Sequence, residues 1–526
     1  MSDAAATPAA NAPWQPRVNP WWIALAVMLA TFMEVLDTSI ASVALPHIAG
    51  NLGSTQEEAT WVLTSYLVSN AIVLPASAWF ARFFGRKRFL IGCIIIFTAS
   101  SFMCGAALSL GMLVVARVIQ GAGGGALQPL AQAILLESFP PAKRGVALSV
   151  YGVGVVCAPI IGPTLGGWLT DSYTWRWAFY INLPVGVLAV FLISLFVEDP
   201  PYIKTAKRGK IDAIGLGLLS LWLATLQITL DKGQQADWFG AVWIRWFVVI
   251  SVVSLAAFVF WELHTPAPIV NLHILKDRNF AVGCVLFGTF GAVLYAMVTL
   301  QPLFLQSLMG YTALAAGLTV SPRGMGALVS FFMMGILLKK ISARALAGVG
   351  FILLALACYQ LARLNLDVSM RTIVAPNILN GFALGFIFVP MSAVMVGTLP
   401  NEQMGDATGI QNLVRNVGGS VGISFVSTML ERYAQAHQAL MAKNLAPTNV
   451  EFQRRVGAVQ QIFGGSHSPA DALQRAHGFV YNLLLRQASY WAYVQLFYEI
   501  AWVCLFCFAG VFVLKKIKSS RPVAVH

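Results

Sequence analysis

The chain has 526 residues, of which 58% are hydrophobic and only 10% charged. An ordinary globular domain carries roughly 25% charged residues, so this composition excludes a water-soluble globule and predicts a protein dissolved in lipid. The net charge of +13 would suit nucleic acid if it were gathered on one face, but the lysines and arginines are dealt out between apolar runs.

The first stretch, Met1 to Asn19, is rich in alanine and proline and is expected to be disordered. It lacks the basic start of a cleavable signal peptide. The first apolar run carries Glu34 and Asp37 instead of ending in a cleavage site, so it reads as an uncleaved span. Runs long enough to cross a bilayer are predicted at 21–45, 59–81, 89–109, 112–136, 145–169, 178–198, 212–231, 242–263, 280–304, 313–338, 345–363, 372–398, 408–430 and 490–514, fourteen in all. All seven cysteines (Cys93, Cys104, Cys157, Cys284, Cys358, Cys504, Cys507) fall inside such runs and are expected to be small buried hydrophobes.

Within span one, Glu34 and Asp37 are three residues apart and share a helix face. Two carboxylates in one apolar span are expected to be functional. Between spans two and three runs A-W-F-A-R-F-F-G-R-K-R, residues 78–88, with Arg82, Gly85, Arg86 and Lys87 in its charged part. Span four reads R-V-I-Q-G-A-G-G-G, so Arg117, Gly121 and Gly125 recur every four residues with Gln120 beside them. A charge at that depth costs roughly 2.5–3.5 kcal/mol and is expected to face a partner or a wet cavity. Span five gathers Pro159, Gly162, Pro163, Gly166 and Gly167, and small residues at that spacing let helix backbones touch. Later spans carry Arg323 and Arg415, each of which either acts in the second half or only neutralises a local dipole.

Two patterns organise the whole. Loops after even-numbered spans hold Arg82, Arg86, Lys87 and Arg88; Lys143 and Arg144; Lys204, Lys207, Arg208 and Lys210; Lys276 and Arg278; Lys339, Lys340 and Arg344. The other loops are poor in basic residues, which predicts that both termini are cytoplasmic. At an offset of 260 residues, Gln120-Gly121 and Gly125 match Asn380-Gly381 and Gly385, while Pro140, Gly145 and Ala147 match Pro400, Gly405 and Ala407. Such a repeat predicts parallel halves of six helices, with spans seven and eight inserted between them. The expected divisions are an N-terminus over 1–19, a first half over 20–199, a linker with two inserted helices over 200–278, a second half over 279–514 and a tail over 515–526. The polar segment 431–486 should lie outside the membrane, with a break at Gly464-Gly465 and a helix start at Ser468-Pro469-Ala470-Asp471. It reads either as a solvated linker or as a docking surface.

The Arg-containing fourth span and the G-P-x-x-G-G of the fifth resemble those of EmrB/QacA-type fourteen-span drug:proton antiporters of the major facilitator superfamily. Asp37 lies in a stretch similar to that family's first-helix L-D-x-T-I-V-N-V-A-L-P. Residues 78–88 resemble its cytoplasmic loop motif, although Ala78 replaces a glycine and Arg82 stands where the family has an aspartate. An arginine there cannot accept the hydrogen bonds an acid would. The resemblance implies an all-α polytopic membrane protein of the bacterial inner membrane that exports hydrophobic, cationic or uncoupler-like drugs in exchange for protons. It implies proton coupling through Asp37 and Arg117, to which Glu34 adds a carboxylate outside the family's pattern, and a cavity or helix-packing role for Gln120, Gly121, Gly125, Asn380, Gly381, Arg323 and Arg415. It also implies a periplasmic adaptor and an outer-membrane channel as partners. A dedicated exporter of aryl or fatty acids would share these motifs, and a non-transporting sensor or scaffold would have no use for intramembrane acids. No G-x-x-x-x-G-K-[ST] is present, since Gly209-Lys210 is followed by Ile211, which argues against ATP-driven pumping. No metal-ligand cluster, Ser/His/Asp arrangement or cofactor motif stands out, and no enzymatic activity is expected.

Overall fold

A computed structural model describes residues 16–140, 143–200, 212–266, 268–400, 403–446, 448–464 and 468–515. Most of Met1–Asn19, the linker basic residues Lys204, Lys207, Arg208 and Lys210, Gly465, and the tail beyond Lys515 lie outside it, as does the Cys157 side chain. The described residues form helices joined by short turns. Fourteen of these helices are α1 (Pro20–Leu52), α2 (Trp61–Phe84), α3 (Arg86–Gly105), α4 (Leu110–Ser138), α5 (Arg144–Ser172), α6 (Trp177–Phe196), α7 (Ala213–Lys232), α8 (Val242–His264), α9 (Arg278–Leu308), α10 (Ala315–Leu337), α11 (Ala343–Ala362), α12 (Met370–Val396), α13 (Met404–Ala442) and α14 (Pro469–Val511). Twelve are long and apolar enough to cross a membrane. The other two, α5 and α13, run for 29 and 39 residues and pack as fully into the bundle as their neighbours. In α13 the buried face carries Asp406, Gln411, Asn412 and Arg415, which lowers its mean hydropathy because those groups meet protein and not lipid. Fourteen spans are compatible with this arrangement.

Local chemistry sets the helix ends. Asn19 caps α1 by accepting from the Trp21 amide at 3.1 Å, and Gly53 closes it in the left-handed region at φ 63°. Inside α4 the helix is interrupted at Gly125 and Ala126. Pro129 has no N–H to return to the Gly125 carbonyl four residues back, so the turn there opens.

The 260-residue repeat is physical. A methyl group on Gly121 would lie 2.4 Å from the Tyr66 carbonyl oxygen of α2, and one on Gly381 would lie 1.7 Å from the Arg323 carbonyl oxygen of α10. Gly125 and Gly385 repeat the contact one turn on, against Asn70 and Ser330. Thus α4 lies on α2 as α12 lies on α10, with backbones touching through glycine.

The two halves meet along the end of the bundle that bears the basic loops. Arg82 reaches Asp406 at 3.0 Å, Thr408 Oγ1 donates to the Pro129 carbonyl at 3.1 Å, and Asn412 Nδ2 donates to Gln132 Oε1 at 2.9 Å. On the other flank, α5 meets α10, and a methyl on Gly152 would lie 2.1 Å from the Phe331 ring. At the opposite end α7 bridges the halves. Its Asp231 accepts from Thr64 and its Lys232 donates to Thr60 on the first-half side. On the second-half side, Gln227 Oε1 accepts from Ser420 at 2.9 Å, and just beyond the helix Trp238 donates to Thr428 at 3.1 Å.

The segment expected as a polar stretch over 431–486 is helical for most of its length. α13 continues to Ala442, a helix over Val450–Gly464 folds back, and α14 begins at Pro469. Val456, Ala476 and Val480 pack together with Leu445, Phe452 and Val459 in a small core of their own. Spans thirteen and fourteen are therefore longer than the apolar runs 408–430 and 490–514. No proline or glycine stops the helix between 430 and 442, so it runs on past the apolar stretch. The expected helix start at Ser468 is present, its hydroxyl accepting from the Asp471 amide at 3.3 Å.

Candidate functional site

The polar centre of the first half is built around Asp37 of α1. Its carboxylate accepts from Arg117 Nη1 at 2.6 Å and Gln120 Nε2 at 3.0 Å, both on α4, and from Asn182 Nδ2 of α6 at 2.7 Å. Arg117 spends its Nε on the Val62 carbonyl at 3.0 Å and a further bond on Gln120 Oε1 at 2.7 Å. Both charged side chains are fully buried. The centroid of the Tyr66 ring lies 4.1 Å from the guanidinium carbon and that of the Phe179 ring 5.7 Å from it. A buried pair of this kind is held by mutual need: removing one partner typically costs about 3–5 kcal/mol because the other charge is stranded.

Glu34, one turn earlier on α1, has a different set of donors. It accepts from Gln128 Nε2 at 2.6 Å, Tyr66 Oη at 3.1 Å and Asn70 Nδ2 at 3.2 Å. Gln128 in turn accepts on its Oε1 from Arg415 of α13. Tyr66 touches both acids' surroundings, since its hydroxyl meets Glu34 while its ring covers Arg117.

The second half repeats the arrangement without the charge pair. Asn377 of α12, at the repeat position of Arg117, accepts from Gln301 Nε2 of α9 at 2.7 Å and donates to the Thr319 carbonyl at 3.0 Å. The Arg117–Val62 bond has its counterpart there. Arg323 donates to Gln301 Oε1 at 2.9 Å, and Arg323 and Arg415 are both buried. Asn380 is buried beside Gly381 on the packed face of α12.

The proline–glycine cluster of α5 divides by face. A methyl on Gly162 would lie 2.3 Å from Ser39 Oγ, and one on Gly166 would lie 3.2 Å from Ile40. These two glycines therefore bring α5 onto α1 close to Asp37. Pro159 and Pro163 are exposed and Gly167 has open space around it. In the basic loop, Gly85 adopts φ 88° where a Cβ would meet Asp199, and the Lys87 amide donates to Asp199 Oδ1 at 2.9 Å. Arg86 is buried against Glu137. Arg82 has an acid of the other half to donate to, Asp406, so the loss of an acceptor at this position is answered by an acceptor across the interface.

Sequence reasoning singled out the charges together with Gln120 and Asn380, but missed the Tyr66 phenol and the amides of Asn70, Gln128, Asn182, Gln301 and Asn377. The available signal was their occurrence inside apolar runs, as with Gln128 in A-L-Q-P. The six cysteines with described side chains are buried and free.

Comparison with known proteins agrees with this architecture. The Major Facilitator Superfamily profile matches residues 27–423. The multidrug export protein EmrB of Escherichia coli K12 is 38% identical over 82% of this chain and 84% of its own length. EmrB of Haemophilus influenzae is 39% identical over 81% and 84%. The fatty acid resistance protein FarB of Neisseria gonorrhoeae is 35% identical over 84% and 86%. Among solved structures, the human organic anion transporter MFSD10 superposes with a TM-score of 0.59 at 14% identity, covering 95% of this chain and all of that one. The proton:xylose symporter XylE gives 0.58 at 14% identity, covering 92% and 94%. With two six-helix halves, a 260-residue repeat and a match over most of its length, the chain belongs to the major facilitator superfamily.

Proposed function

We propose that this protein exports hydrophobic drugs across the bacterial inner membrane in exchange for protons, by alternating access between its two halves. The observation that carries this reading is the sealed Asp37–Arg117 pair in a chain 38% identical to a multidrug export protein. An ionised Asp37 matches Arg117, whereas a protonated one leaves the guanidinium uncompensated in a lipid-embedded core and favours a different helix arrangement. Glu34 supplies a second protonatable group one turn away, and Arg117, Gln120 and Asn182 position Asp37. Gly121, Gly125 and Gly381 serve helix packing, and Gly162 and Gly166 hold α5 against α1 so that the acid-bearing helix moves with its neighbour. The basic loops support an orientation with that end of the bundle, and both termini, in the cytoplasm. In that orientation the closed seam at the basic end supports an arrangement shut towards the cytoplasm.

The α13–α14 projection lies on the periplasmic side in this orientation, where we propose that it docks an adaptor leading to an outer-membrane channel. A second reading, export of aryl or fatty acids, is favoured by Arg323 and Arg415, whose described hydrogen-bond partners are amides and not carboxylates. Purified protein in proteoliposomes decides between them. Drug addition should release or take up protons against a pH gradient for hydrophobic drugs, and a response confined to organic acids would select the second reading.

A further inference from the structure

Asp37 and Glu34 lie one turn apart on α1 but answer to different neighbours. The hydrogen bonds of Asp37 run to Arg117, Gln120 and Asn182, all in the first half. Glu34 is bonded to Tyr66, Asn70 and Gln128, and Gln128 continues across the interface to Arg415 of the second half. A primary amide offers one oxygen that accepts and one nitrogen that donates. Between a carboxylate and a guanidinium, Gln128 satisfies both in one orientation only, with its N–H towards Glu34 and its C=O towards Arg415.

We propose that Gln128 is the positioning residue through which the charge on Glu34 holds the two halves together at the basic end, a step that rests on the proton-antiport reading above. With Glu34 ionised, the chain carboxylate–amide–guanidinium is charge-assisted at both ends, and such bonds are roughly twice as strong as neutral ones. A proton on Glu34 turns the acceptor into a group that can itself donate. The amide then loses its charged anchor, and Arg415 loses the negative charge that the amide relays to it.

The consequence reaches the whole seam because Arg415, Asn412 and Thr408 lie three and four residues apart on one face of α13. They meet Gln128, Gln132 and the Pro129 carbonyl in turn, and Asp406 meets Arg82 at the basic end. Gln128 is the innermost rung. Glu34 is faced by Asp37 on its own helix, Tyr66 on α2, Arg117 behind the Tyr66 ring on α4, Tyr151 on α5 and Arg415 on α13. Tyr151 also donates to the Gln128 backbone carbonyl at 3.3 Å, which fixes the base of the Gln128 side chain. Proton loading at Glu34 therefore opens the basic end, and proton loss there closes it, which is the order an exporter driven by inward proton flow requires.

The test uses the full chain in lipid nanodiscs with nitroxides at Arg88→Cys and Lys340→Cys, two exposed positions on different halves at the basic end. Pulsed dipolar spectroscopy reads their separation across an acid-to-alkaline series. In the otherwise unchanged protein, acidification should enlarge the long-distance population. Glu34→Gln should show that population throughout, with the pH response lost. Gln128→Met and Gln128→Leu should do the same although Glu34 is intact, and whichever of the two elutes as a monodisperse folded protein suffices. Retention of the full pH response in either folded Gln128 variant overturns the proposal. So does a pH-insensitive separation in a protein that still couples drug to protons. Absence of any drug-triggered proton movement removes the antiport reading itself, and this inference with it.

Discussion

Arg82 of α2 donates to Asp406 of α13 at 3.0 Å, joining the end of a first-half helix to the start of a second-half helix 324 residues away. The loop motif that residues 78–88 resemble has an aspartate where Arg82 stands. Here the basic group sits on the first half and the acid at the first turn of α13, where a negative charge also suits the helix N-terminus. Asp406 is buried while Arg82 is partly exposed, so the pair is stronger than an open surface contact but still partly screened by solvent.

Reversing one member should weaken closure of the basic end. Arg82→Asp or Asp406→Arg alone is expected to lower drug export by about fivefold, the effect of roughly 1 kcal/mol on a two-state equilibrium. Arg82→Asp combined with Asp406→Arg should recover much of it. Export rates in everted membrane vesicles measure this, and a double variant no better than the worse single would show that the contact is incidental.

Asp37→Asn should abolish drug-triggered proton movement in proteoliposomes while the protein still inserts and purifies. Asparagine keeps an acceptor for Gln120 and Asn182 but removes the ionisable group. Arg117→Ala should be harsher, destabilising the fold by about 3–5 kcal/mol through a stranded buried carboxylate. Replacing both residues by apolar ones of similar size should restore much of that stability in thermal unfolding, with transport still absent.

Glu34 as a second proton site makes a prediction about voltage. Exchange of one proton for one monovalent cation moves no net charge, whereas two protons move one. A single charge across 100 mV is worth about 2.3 kcal/mol, or roughly 50-fold in accumulation. Glu34→Gln should therefore slow export of a cationic drug, because the basic end then favours its open form, and the export that remains should follow the pH gradient and be indifferent to a potassium diffusion potential. Voltage sensitivity equal to that of the unaltered protein would count against the second site.

The glycines provide a graded test of packing. Gly381→Ala would place a methyl 1.7 Å from the Arg323 carbonyl, a backbone atom that cannot turn aside, so the variant should lose most folded protein from the membrane. Gly167→Ala has open space and a helical backbone, and should be neutral or stabilising by up to about 1 kcal/mol. Fluorescence-detected size exclusion of the two variants makes the comparison.

Replacing residues 440–480 by a glycine–serine linker should leave drug uptake by everted inner-membrane vesicles unchanged. If the α13–α14 projection docks an adaptor, the same variant loses co-purification with it and loses resistance in whole cells. Survival of both would make the projection a tether.

The sequence by itself determined what depends on local composition and on the cost of placing charge in lipid. Apolar runs of sufficient length announced the spans, and the basic loops gave a consistent alternation. Glu34, Asp37 and Arg117 stood out because each is expensive where it lies. The 260-residue spacing of glycines announced two halves, since touching backbones require glycine whatever the neighbouring side chains are. What only the tertiary structure decided is partnership. That Asp37 belongs to Arg117 and Asn182, that Glu34 reaches Arg415 through Gln128, and that Arg82 finds Asp406 all depend on which helix faces meet. The same holds for the end of α13, where polar residues continue a helix that an apolar pattern alone would have stopped. A neutral amide is inexpensive in sequence terms and leaves little trace there, because its value comes from having one donor and one acceptor aimed at two groups that the fold brings together.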